Sequence, residues 1–110
     1  VTEVTELLTA VDRLADRLRA MPQSALTQGA AAQGLALARE LARRAQRLEA
    51  PDAEPRLMPE AGVFMVADQL AVAGHDLAEI LRRTSGGADQ AAEALRLVTE
   101  TARGIGPGTR

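Results

Sequence analysis

The chain has no cysteine, tryptophan, tyrosine, lysine or asparagine, a single phenylalanine, Phe64, and a single histidine, His75. Each gap removes a class of function. Without thiols there is no disulfide staple, thiolate metal site or cysteine nucleophile, and the composition fits a reducing, cytoplasmic setting. One aromatic side chain leaves almost nothing for nucleic-acid bases to stack on, and no set of aromatic interface anchors. No apolar run approaches the roughly 18–20 residues of a membrane span. Val1–Ala10 carries Glu3 and Glu6 where a secretory leader has basic residues. The expectation is a cytoplasmic chain without a membrane partner.

What is present fits one domain: 110 residues, 46% of them apolar. Of those apolar residues 23 are Ala and 28 are larger, so the core must be thin and its elements closely spaced. Thirteen cations, all Arg, face fifteen acidic residues for a net charge of -2. The Ala and Arg bias is that of a high-GC bacterial genome, and the balance supplies no global field toward nucleic acid or an anionic surface.

Gly and Pro divide the chain into four helical stretches, at about 3–20, 25–49, 60–83 and 88–103. In the first, Val4, Leu7, Leu8, Val11, Leu14, Ala15 and Leu18 recur at three- and four-residue steps, which stacks them on one helix face. Met21-Pro22-Gln23-Ser24 ends it, with Ser24 as a cap for the next. The second carries Leu26, Ala30, Gly34, Leu37, Ala38, Leu41, Ala45 and Leu48 on one stripe. Gly29 and Gly34 fall inside it, each costing about 1 kcal/mol of helix propensity relative to Ala, a loss that close approach of a neighbouring helix would offset. The Pro-rich loop 50–59 follows, and Pro59 with Glu60 suits the first turn of a helix. The third stretch buries Val63, Val66, Leu70, Ala73, Gly74, Leu77 and Leu81, and the fourth Ala88, Ala91, Ala92, Leu95, Val98 and Ala102. Leu35 and Leu97 lie off these stripes, and Gly104 opens a short flexible tail, 104–110. The pattern predicts an all-α, up-down-up-down four-helix bundle of two antiparallel helical hairpins, 3–49 and 60–103, with two hairpins paired across a dimer as the alternative arrangement.

Little of this can do chemistry. His75-Asp76 lacks the further His and Asp ligands of a metal-dependent phosphohydrolase, and residue 72, three before His75, is Val, so no Glu-x-x-His element exists. His75 reads as a solvated side chain with Glu79 one turn on. Ser24 and Ser85 have no positioned base, and Gly86-Gly87 is followed by neither Lys nor a hydroxyl. No catalytic residue, metal or cofactor is expected. Size and hairpin form resemble short helical proteins exported by specialised secretion systems, but their Trp-x-Gly turn is Met21-Pro22-Gln23-Ser24 here, so the resemblance is one of shape.

Two features remain. Arg39, Arg43 and Arg47 step by four along one helix face, with Arg44 beside them and Glu40 within pairing distance. Such a stripe is a secondary polar contact for a partner or, less in keeping with the acidic balance, a binder of nucleic acid or nucleotide phosphate. Phe64, Met65 and Val72 project away from the third stripe, with Leu57 and Met58 just upstream. Either the 50–59 loop folds back over them, or they meet another protein or a second copy of the chain. The reading that follows is a non-catalytic, self-associating protein–protein interaction module, with a nucleic-acid or nucleotide regulator as the alternative.

Overall fold

The regular apolar steps from Val4 to Leu18 wind into α1, Thr2–Ala20, which buries Val4, Leu7, Val11, Leu14, Ala15 and Leu18 along one side. The computed structural model describes residues 2–105, and among these there is no strand. Three further long helices follow: α2, Ala31–Glu49, α3, Val66–Arg82, and α4, Gly87–Ile105. The four pack on one another as a bundle, flattened to 41 × 29 × 17 Å.

Several boundaries differ from those the sequence pattern predicts. The second stretch is not one helix from 25. A short turn, Gln23–Ala25, leads into a π turn, Leu26–Ala30, in which Gly29 adopts φ 133°, a conformation that side chains disfavour. Regular helix then resumes at Ala31, so Gly29 is a break and not a helical residue. Ser24 makes no cap, since Pro22 occupies that position in extended conformation. The third helix begins at Val66 after a 3₁₀ turn, Val63–Met65, because Gly62 at φ 97° holds the preceding chain out of helical geometry. Pro59 and Glu60 therefore precede the helix instead of opening it. In α4 the buried residues are Gly87, Ala91, Ala94 and Val98, while Ala92 is exposed and Ala88 half-buried. This helix continues through Gly104 to Ile105, and the remainder of the expected tail, 106–110, lies outside the described residues.

Helix directions follow from which residues meet. Asp12 touches His75 and Arg19 touches Asp68, so α1 and α3 run antiparallel. A side chain at Gly34 would press on Val66, while Gln46 and Glu49 share a cleft with Glu79, Ile80 and Arg83, so α2 and α3 run parallel. The tight turn at 83–86 sends α4 back beside α1, where Arg17 donates to the Ala102 carbonyl at 3.2 Å. The four-helix bundle is thus wound up, down, down, up, and not up-down-up-down. The connection between α2 and α3 makes this necessary: residues 50–62 form a non-helical strap that returns along α2, with Arg56 beside Gln46 and Met58 beside Arg39. Bundles accommodate one such long crossover without losing their shared core.

The closest seams lie between α1 and α3, α1 and α4, and α2 and α3, whereas α1 meets α2 only sparsely. Leu7, Leu14, Leu18, Leu41, Leu70 and Leu77 are fully buried there, each contributing about 1.5–3 kcal/mol by leaving water. Glycine sets the spacing. A Cβ on Gly74 would stand 2.6 Å from Val11 Cγ1, and one on Gly34 2.8 Å from Val66 Cγ1 and 3.1 Å from Leu18 Cδ1. The close approach expected at Gly34 is therefore real, and Gly74 provides a second.

Candidate interaction face

α3 is central: α1 and α2 pack along its flanks and α4 touches it more lightly, which leaves one side uncovered. Met65 and Val72, two turns apart, emerge on that side with Asp68 between them. Val72 is 60% exposed, Met65 45%, Phe64 66% and Leu57, on the strap, 73%. The strap does not fold over Phe64 and Met65. It runs along α2 instead, and of its two large apolar residues only Met58 packs against the core. Met58 is half-buried and so does not belong with the exposed set.

Polar pairs between α1 and α3 frame Val72. On one side Arg19 donates to Asp68 at 2.9 Å and to Asp16 at 3.0 Å. The hydrogen bond to Asp68 pushes the pKa of the Arg19 guanidinium, a cation at any working pH, further upward against some desolvation. On the other side His75 Nε2 lies 3.0 Å from Asp12 Oδ1. His75 is solvated, as its helix position implies, but its partner is Asp12 of α1 and not Glu79, whose carboxylate faces Arg82 at 3.5 Å. Val72 is thus an exposed apolar side chain between two exposed ion pairs.

The arginine stripe is broken up by local partners. Arg39 Nε donates to the Met58 carbonyl at 2.8 Å and so anchors the strap. Glu40 takes both Arg43 Nη2 at 2.6 Å and Arg44 Nε at 2.8 Å. Arg47 is exposed. Arg39 thus does not stand on an outer face with Arg43 and Arg47, because the strap passes over it. A phosphate approaching this row would compete with Glu40 and with the strap. Leu35, placed off the stripe by its phase, is buried at 9% because it lies beside Val63 and Val66 where the chain enters α3. Leu97 is half-buried against the core.

Two depressions among the described residues are open clefts lined by groups of mixed character. A cleft of about 370 Å³ between α2 and α3 mixes Glu49, Asp76 and Glu79 with Arg56 and Arg83. Another, of about 310 Å³ between α2 and α4, is lined by Ala36, Leu37 and Leu97 with Glu40 and Glu100 at its sides. Among the described residues no group of three or more His, Asp or Glu is placed to hold a metal ion, and no helix is long and apolar enough to cross a membrane. No family model, curated protein or solved structure matches this chain.

Sequence reasoning missed the strap's anchors. Gln46 pairs with Arg56 twice, accepting from its N–H at 2.6 Å and donating to its carbonyl at 3.3 Å, and Gln69 donates to the Pro59 carbonyl at 2.9 Å. These bonds go to main-chain atoms, which leave no residue-type signature. The available signal was length, since a connection longer than the roughly 2–8 residues of ordinary bundle joints has room to cross the fold.

Proposed function

We propose that this chain is a non-catalytic protein–protein interaction module that self-associates reversibly through Phe64, Met65 and Val72, with Leu57 at the edge. The observation that carries the reading is the 66% exposure of Phe64, the one aromatic side chain in the sequence, beside two more uncovered apolar residues. Arg47 and the half-exposed Arg43 supply a secondary polar contact on another face. The cysteine-free composition supports a cytoplasmic setting. Together the exposed side chains offer on the order of 400 Å² of apolar surface, about half of the ~800 Å² per partner that a stable interface buries. The association is therefore weak and concentration-dependent. Sedimentation velocity over a concentration series tests it: the weight-average mass rises above 11.6 kDa in the wild type and stays at the monomer value in Phe64→Asp, with equal helicity in both. A mass unaffected by Phe64→Asp refutes this reading.

A further inference from the structure

The chain is two helical pairs, 2–49 and 63–105, that pack on each other far more than within themselves. α1 lies on α3 and α4, α2 lies on α3, and contact between α1 and α2 is sparse. Leu7, Leu14 and Leu18 of the first pair and Leu70 and Leu77 of the second are fully buried only because the other pair covers them. The strap, 50–62, is their covalent link within the bundle, carries no helix and contributes no fully buried side chain. Its polar anchors are the contacts from Arg39, Gln46 and Gln69 to main-chain atoms of Arg56, Met58 and Pro59.

We propose that the two helical pairs recognise each other between chains as well as within one, so that two copies associate by exchanging their C-terminal pairs across the strap. Naming a second copy as the partner rests on the self-association reading, but the mode of association does not. An exchanged dimer recreates the interfaces already present in the folded chain and needs no new surface. The complementarity is specific, since Val11 fits the gap at Gly74 and Val66 the gap at Gly34. A linker of this length gives its own pair an effective concentration in the millimolar range, so the closed monomer dominates in dilute solution. Exchange appears on refolding at high concentration, or when the strap is too short to return. Once formed, such a dimer separates only by opening the whole core, and so outlives any contact made through Phe64.

The test uses two full-length variants, each with one damaged pair: Val11→Asp with Leu14→Asp, and Leu70→Asp with Leu77→Asp. Buried, unpaired carboxylates unfold either chain alone. Refolded together, the sound first pair of one chain and the sound second pair of the other can build one complete bundle. The expected result is a species of two-chain mass that recovers up to half of the wild-type helical signal, unchanged when Phe64→Asp is added to both chains. A mixture no more helical than its separate components overturns the proposal, and so does a recovery abolished by Phe64→Asp. Deleting residues 51–62 provides a second measurement. Between Glu49 and Val66 this leaves Ala50 and residues 63–65, whose five links reach at most about 18 Å, while the rise along α2 from Gly34, beside Val66, to Glu49 is about 22 Å. A helical dimer of the deleted chain is expected, and a helical monomer contradicts exchange. The face reading stands or falls separately, on the Phe64→Asp sedimentation series.

Discussion

The seam between α1 and α3 and the strap that leads into α3 draw on the same apolar residue types and treat them oppositely. In the seam, Leu70, Ala73, Leu77 and Leu81 are sealed against α1 and its neighbours, and Gly74 lets Val11 approach closer than any side chain would allow. A few residues upstream, Leu57, Phe64 and Met65 stand open to water. Size and hydrophobicity do not explain the difference, because small alanines are buried while the only phenylalanine is not. Phase explains it. Side chains that recur every three or four residues find a facing helix, and those that fall between the repeats or precede the helix do not.

The contrast is sharpest for Leu77→Ala against Phe64→Asp. Truncating Leu77, 1% exposed, should destabilise the fold by about 2–5 kcal/mol in urea unfolding followed by circular dichroism. A shift of under ~1 kcal/mol there would mean that the seam is loosely packed. Gly74→Ala comes next, at about 1–3 kcal/mol, since the added methyl meets the stiff, β-branched Val11 and one helix must move. Thermal melts of Gly74→Ala and Gly34→Ala should both fall, with Gly74 the larger because three atoms of Val11, its Cβ among them, lie within 3.2 Å of the added methyl, while at Gly34 the third contact is a Leu18 methyl at 3.9 Å. On the strap, Arg39→Ala should cost about 1 kcal/mol through the lost bond to the Met58 carbonyl, and it should speed proteolysis within 50–62 more than elsewhere. Asp12→Asn removes an exposed pairing with His75, worth between 0 and about 1 kcal/mol, and raised salt should reduce whatever difference appears. Phe64→Asp should shift stability by no more than about 0.5 kcal/mol while abolishing concentration-dependent mass. A Phe64→Asp variant as unstable as Leu77→Ala would erase the distinction between the two regions.

How much of this was legible in the sequence follows from the same contrast. The stripes of α1, α2 and α3 and the turn after Arg83 are written in spacing, so the number of helices and most of the core could be read directly. Periodicity identifies which side of a rod is buried and is silent on which rod lies beside it. The reversal of α3 relative to an up-down-up-down bundle was therefore out of reach, apart from the unusual length of the connection. Gly29 and Gly62 show a second limit. Glycine tolerates helical and left-handed geometry alike, and only the folded chain shows that both take positive φ here. Leu35 shows a third, since its burial depends on the segment around Val63, not on its own helix. Phe64, Met65 and Val72 could be set off the core stripe by phase, but Leu57 and Met58 lie in the loop, where no phase separates the exposed Leu57 from the half-buried Met58, and whether the loop covered the set required knowing the strap's path.

Amide hydrogen exchange of the wild-type protein at low and high concentration examines the interaction face most directly. Peptides spanning 57–72 should gain protection as concentration rises, while those covering the buried stretch of α1 around Leu14 remain as protected as before. Equal exchange of the 57–72 segment at both concentrations, under conditions where the sedimenting mass has risen, would contradict the account.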